Sequence, residues 1–189
     1  MKTGRLFYLM GASGTGKDSL LQYLKNRLDE SHRVKLPQRH ITRPADAGGE
    51  THIALTPEAF QRQAERGEFA LHWQSHGFHY GIGREIDGWL AEGFHVVING
   101  SRRYLETAQA LYPSLHPILI RVSHDALLQR LVARGRENRE EIESRLQRAE
   151  ALDGQMICSG FTLLRNDGPL SEAGEALYKL VLSEPAGKT

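Results

Sequence analysis

The sequence is short of the features that would take it out of the ordinary class of compact domains. It has a single cysteine, Cys158, so no internal disulfide can form, which suits a reducing cytoplasm. Lys and Arg number 24 against 23 Asp and Glu, and the formal net charge of +1 lacks the basic excess of a nucleic-acid binder. Long apolar runs are missing: the first, Leu6 to Met10, stops at a glycine and is too short for a signal peptide or a membrane span. None of the nine histidines falls in an H-E-x-x-H or Cys/His cluster. His76 and His79 are close, but they sit in a Gly-containing stretch with no third ligand, so no protein-built metal site is expected. What remains, 189 residues of which 40% are hydrophobic, can bury the core of one compact domain.

The stretch Gly11-Ala12-Ser13-Gly14-Thr15-Gly16-Lys17, followed by Asp18 and Ser19, has the spacing G-x-x-x-x-G-K of a phosphate-binding loop. Glycines allow a tight turn whose N–H groups converge on phosphate oxygens, and the helix N-terminus behind it adds partial positive charge. Lys17 can then reach the β- and γ-phosphates. The required context, an apolar strand before and a helical pattern after, is present. Turn chemistry alone, the alternative reading, does not call for a lysine at that spacing. One position departs from the motif: Asp18 stands where Ser or Thr would hold Mg²⁺.

Further along, the patterning predicts strands alternating with helices. Strands are expected at Arg5 to Met10, Arg33 to Leu36, Phe94 to Ile98, Pro117 to Val122 and Phe161 to Leu164, with Phe69 to Trp73 as a short extra strand and Gly77 to Gly83 as loop. The first helix carries Leu20, Leu21, Leu24 and Leu28 at helical spacing, all expected in the core. Thr56-Pro57 reads as an N-cap with proline at the first helical position, and Gly67 as the stop. Asn138 with Glu141 makes a capping box. The fold class is therefore α/β, a P-loop NTPase with a doubly wound parallel sheet. The expected organisation is one domain with its core at 1–36, 93–124 and 157–189, an acceptor-binding insert at about 37–92, and a helical lid at about 125–156.

Arginines then point to phosphoryl transfer. Arg39, Arg43 and Arg84 follow the second predicted strand, and an arginine fork binds phosphate bidentately. Arg130, Arg134 and Arg145 lie on two helices joined by Arg134-Gly135-Arg136, the pattern of a lid that neutralises the transferring group and excludes water. The interleaved Glu137, Glu140, Glu141 and Glu143 also fit a salt-bridged surface helix.

Taken together, Gly11 to Ser19, Ile41-Thr42-Arg43-Pro44 with Gly49-Glu50, Phe69 with Tyr80-Gly81, Arg130 to Gly135 with Arg145, and Asn166-Asp167 resemble the guanylate kinase-like P-loop kinases over nearly the whole chain. In that family a glutamate two residues after the phenylalanine, and a Thr or Ser after Tyr-Gly, contact guanine. Here those positions hold Leu71 and Ile82. A phosphate-contacting tyrosine is replaced by His52, and two aspartates of a core strand by Val97 and Asn99. Lost pairing with a base edge can lower discrimination by roughly 10⁴-fold or more. The pattern is similar to the ribose 1,5-bisphosphate phosphokinases of bacterial phosphonate breakdown, in Gly16-Lys17-Asp18-Ser19, Arg39-His40-Ile41-Thr42-Arg43, Tyr80-Gly81-Ile82-Gly83 and Asn166-Asp167-Gly168.

The resemblance implies an ATP-dependent kinase, with ATP as donor, Mg²⁺ as metal and a small phosphorylated sugar as acceptor. No nucleic acid or membrane is involved, and a homodimer is left open. Lys17, Arg134 and Arg145 are the expected catalytic residues. Gly11, Ala12, Ser13, Gly14, Thr15, Gly16, Lys17, Asp18, Ser19, Arg130 and Asn166 are expected at the nucleotide, with Asp18 or Ser19 anchoring the metal. Arg39, Thr42, Arg43, His52, Tyr80 and Asn99 are expected at the acceptor. The rivals are a guanylate or other nucleoside-monophosphate kinase, a gluconate-type sugar kinase, and a non-catalytic protein-binding module of the same family. The standing Lys17 and lid arginines weigh against the last.

Overall fold

The computed structural model describes residues 4–45, 50–135, 138, 140–144, 146–147, 151 and 160–183. The chain falls into two compact units, one of Met1–Tyr8 and Leu28–Leu115, the other of Leu9–Arg27 and His116–Thr189. Strand β1 (Leu6–Met10) contributes to both. All five of its residues are buried, so the strand is apolar throughout with no polar face. It is the middle strand of a five-stranded sheet.

In the second unit, α1 (Lys17–Arg27) follows the glycine loop and buries Leu20 and Leu24. Leu21 and Leu28 are half-buried, and Leu28 lies beyond the helix end, so the core stripe is narrower than its spacing suggests. The unit continues through β8 (His116–Arg121), α5 (His124–Arg134), β9 (Thr162–Arg165) and α6 (Leu170–Leu182). β8 and β9 pair in parallel from Ile118 opposite Thr162 to Arg121 opposite Arg165. Helix α6 buries Ala173, Gly174, Leu177 and Val181, and the ring of Tyr23 on α1 lies where a side chain at position 174 would be. Tyr23 and Arg27 both donate to Glu175, at 2.8 and 2.7 Å, which holds the Glu175 carboxyl below its usual range.

The first unit holds β2 (Val34–Lys35), parallel to β7 (His95–Asn99), and completes the sheet order β2-β7-β1-β8-β9. It also carries a four-stranded sheet ordered β4-β3-β6-β5, built from β3 (His40–Ile41), β4 (Ile53–Ala54), β5 (Phe69–Ser75) and β6 (Phe78–Gly83). Helices α2 (Pro57–Glu65), α3 (Glu85–Ala91) and α4 (Leu105–Leu111) belong to the same unit. The Thr56 hydroxyl accepts from Ala59 N–H, with Pro57 in the first turn, as the cap pattern predicts.

The stretch Gly77 to Gly83, expected as loop, is instead β6 of an antiparallel hairpin. His76 (φ 50°) and Gly77 (φ 79°) form its two-residue turn, both in the left-handed region that twisted hairpins favour. Gly81 is a strand residue for a packing reason: a Cβ there would stand 2.7 Å from the Phe69 ring lying over it. Gly81→Ala is therefore expected to lower stability by about 1–3 kcal/mol, read as a shift in urea midpoint without a change in slope.

Candidate active site

The loop half of the site lies in the second unit. Gly14 and Gly16 hold φ of 92° and 90°, which turns successive N–H groups to the inside of the bend. The buried Thr15 hydroxyl donates to Ala12 O at 2.7 Å, and the Lys17 ammonium donates to Gly11 O at 2.7 Å and Ala12 O at 3.0 Å. The lysine charge thus sits over the carbonyls of its own loop. Ser13 is exposed, and so are Asp18 and Ser19 on the first turn of α1, where a carboxylate is favoured by the helix dipole. Among the described residues no group of three or more His, Cys, Asp or Glu could hold a metal ion. Asp18 and Ser19 bring two exposed oxygen-bearing side chains to the start of α1, the ligand type that Mg²⁺ takes.

Asn166 and Arg130 stand behind this loop. Asn166 is 3% exposed and follows β9; its amide donates to Thr15 O at 2.8 Å. A Cβ at Gly16 would meet that amide at 2.6 Å, so only glycine allows the approach. Arg130, on α5, donates to Asn166 O at 2.6 Å. Two polar atoms here, Asn166 Oδ1 and Arg130 Nη1, are buried with no hydrogen-bond partner. An acceptor and a donor left open beside a phosphate loop fit a nucleotide that brings the missing partners. Asp167 instead ties backbone: it accepts from Ser123 N–H at 2.5 Å, at the start of α5, and from Arg165 at 3.0 Å. The first of these bonds chiefly holds its carboxyl below the usual range.

Residues of the segment expected as a lid pack on the loop at Ala12. Leu127 and Leu131 of α5, with Ile142 and Leu146, bury a cluster around Ala12, while Leu128 and Val132 stay exposed. Asn138 and Glu141 exchange the reciprocal bonds of a capping box, at 2.8 and 2.9 Å. Arg134 is described in its backbone alone, at the end of α5, and Arg145 lies outside the described residues.

The acceptor residues gather in the first unit. Arg39 donates through Nε and Nη2 to the two carboxylate oxygens of Glu50, and through Nη1 to Asn99 O at 3.2 Å. Its guanidinium also lies 5.0 Å over the Tyr80 ring. Arg39 is thus held in place by a nearly buried carboxylate. Thr42 is tied to β6 by two bonds with His79: its N–H donates at 3.1 Å and its hydroxyl accepts at 2.8 Å. The His52 ring, 8% exposed, has its nitrogens 3.1 Å from Glu50 O and 2.9 Å from Arg43 O, and so joins the two ends of segment 43–52. Arg43 keeps a buried Nε with no hydrogen-bond partner, open donor capacity of the kind an oxyanion takes up. Leu71 and Ile82 face each other across β5 and β6, both 0% exposed.

Sequence patterning missed three residues here. Tyr8, inside β1, donates its hydroxyl to Ser101 O and accepts from Ser101 N–H, both at 2.8 Å, so it pins the turn that follows Asn99. Burial pushes its phenol well above the ordinary value. Trp73 and Tyr104 stack beside Tyr80. A tyrosine amid an apolar strand run was the one available signal, since a fully buried phenol needs partners.

A family model described as guanylate kinase matches residues 3–184. The chain is 49% identical to a ribose 1,5-bisphosphate phosphokinase of Psychromonas ingrahamii over 96% of its length and 91% of that protein. It is 51% identical to one of Desulfomicrobium baculatum, with 94% of each chain covered, and 46% identical to one of Thiobacillus denitrificans, covering 100% of this chain and 98% of that protein. Among solved structures, guanylate kinase from Anaplasma phagocytophilum superposes with a TM-score of 0.72 at 17% identity, over 95% of this chain and 85% of that one. That likeness establishes the α/β P-loop fold.

Two substitutions test the geometry. Tyr8→Phe leaves both Ser101 backbone groups without their partner and is expected to lower stability by about 1–3 kcal/mol in chemical denaturation. Asn166→Ala removes the brace on Thr15 and is expected to lower stability by a similar, roughly 1–3 kcal/mol, amount and to weaken nucleotide binding measured by calorimetry.

Proposed function

The chain belongs to the guanylate kinase family and, within it, to the ribose 1,5-bisphosphate phosphokinases, and on that basis we propose that it moves the γ-phosphoryl group of ATP onto the 1-phosphate of ribose 1,5-bisphosphate. The products are 5-phosphoribosyl 1-diphosphate and ADP, and the setting is phosphonate degradation in the cytoplasm. The observation that carries the acceptor assignment is the buried pair Leu71 and Ile82. Neither side chain has a polar atom, so a base edge buried against them would lose its hydrogen bonds, whereas a sugar phosphate has no base to bury.

The loop N–H groups of Gly14, Thr15 and Gly16 hold the donor phosphates. The Lys17 ammonium exchanges its contacts with Gly11 and Ala12 for the β- and γ-oxygens. Arg130 and Asn166 complete the nucleotide site with their open polar atoms. Asp18 or Ser19 would hold Mg²⁺ directly or through water, and a bound ion would supply charge neutralisation at the donor phosphates. Arg134 and Arg145 close from the lid onto the transferring group.

On the acceptor side, Arg43 grips phosphate, and Arg39, Thr42, His52, Tyr80 and Asn99 shape the surroundings. An oxygen of the 1-phosphate attacks the γ-phosphorus, the bond to the bridging oxygen breaks, and its electron pair stays on ADP. The attacking oxygen is already ionised at neutral pH, so no strong general base is needed, in keeping with Asn99 at the end of β7. No helix among the described residues is long and apolar enough to cross a membrane.

Incubation with Mg-ATP and either ribose 1,5-bisphosphate or GMP, followed by ADP release, tests the assignment: turnover with the bisphosphate and little with GMP is expected, and the reverse rejects it. Lys17→Ala is expected to lower kcat/KM by about 10²–10³-fold with an unchanged unfolding midpoint. Arg43→Lys, which keeps the charge but loses the fork, is expected to raise KM for the acceptor about tenfold with kcat less affected.

A further inference from the structure

Trp73 is only 7% exposed, yet it lies within the acceptor group and belongs to no step of the reaction. Its ring is parallel to Tyr80, at an interplanar angle of 6° and a centroid distance of 5.7 Å. Tyr104 stacks on it as well, at 5.5 Å and 27°. The indole is therefore stacked against two phenol rings. Tyr80 is covered by the Arg39 guanidinium, which bonds Asn99 O. Tyr104 ends the 3₁₀ turn Arg102–Tyr104, just past Ser101, which Tyr8 pins. Strand β5 places Leu71 two residues before Trp73, and cross-strand register sets Trp73 against Tyr80 and Leu71 against Ile82.

An indole is a flat fused ring pair of nearly the same outline as a purine, and a slot between two aromatic faces is what a purine seeks. We propose that Trp73 is the specificity-determining residue of the acceptor site: its indole fills the purine-sized slot that the Tyr80 and Tyr104 rings line, so that the site takes phosphorylated sugars and excludes nucleoside monophosphates. The inference rests on the proposed acceptor assignment and gives it a mechanism, since Leu71 and Ile82 make a base unrewarding while Trp73 denies it space. It follows that a slot emptied of the indole would admit purines without telling them apart, because its apolar lining has no group to read guanine from adenine.

The test is direct binding of GMP and AMP by calorimetry, with saturating Mg-ADP keeping both off the donor loop. Trp73→Ala is expected to tighten Kd for both nucleotides by about tenfold or more, the gain expected for one stacked base. The two gains should agree within about threefold, and free indole should reverse them by refilling the slot. Trp73→Phe is expected to stay near the parent. Unchanged GMP and AMP affinities in a folded Trp73→Ala protein overturn the proposal, and so does a gain for GMP alone. Should Trp73→Ala fail to fold, Trp73→Val empties the same place with less loss of packing and is held to the same two outcomes. These readouts do not involve ribose 1,5-bisphosphate, so failure of the parent protein to turn that compound over strikes the acceptor assignment and leaves the slot measurement standing.

Discussion

The loop that carries Lys17 depends on one steric constraint: residue 16 must have no side chain. The Asn166 amide stands 2.6 Å from where its Cβ would be and from there donates to the Thr15 carbonyl. Gly14 and Gly16 take left-handed backbone, Thr15 locks the bend through Ala12, and Lys17 also donates to the Ala12 carbonyl. Arg130 braces Asn166 from α5, and α5 is itself seated on Ala12 through Leu127 and Leu131. Helix α5 and the loop thus share one buried apolar cluster. Asp18, the departure from the usual motif, is exposed on the first turn of α1, where it costs nothing in packing and is favoured by the helix dipole.

The residues proposed for the acceptor are held by a different means, aromatic stacking and one nearly buried ion pair. Arg39 serves as a bracket: Glu50 takes two of its donors, Asn99 O a third, and Tyr80 its face. Arg43 differs in keeping a buried Nε with no hydrogen-bond partner, and the proposed phosphate contact rests on that open donor.

Much of this was legible in the sequence because the signals were local. The phosphate loop, the Thr56-Pro57 cap, the Asn138–Glu141 box and the leucines at 127 and 131 each follow from spacing over a few residues. What misled was glycine. At 77, 81 and 83 it reads as loop punctuation, whereas Gly77 makes a hairpin turn and Gly81 yields room to the Phe69 ring. That clearance is set by a residue of the neighbouring strand, beyond any local window. The same holds for Tyr8 with Ser101 and for the stacking of Trp73 with Tyr80 and with Tyr104, which bring together separate segments of the chain. The pairing of Arg39 with Glu50 is likewise a tertiary fact that no local pattern of the sequence carries.

The proposed chemistry turns on the identity of the atom that receives the phosphoryl group. Phosphorus NMR of the products formed from Mg-ATP and ribose 1,5-bisphosphate addresses that atom directly. Transfer to the 1-phosphate predicts that its signal gives way to a coupled pair from a new diphosphate on carbon 1, in step with ADP. An unchanged 1-phosphate signal, with ADP accompanied only by inorganic phosphate, would contradict it.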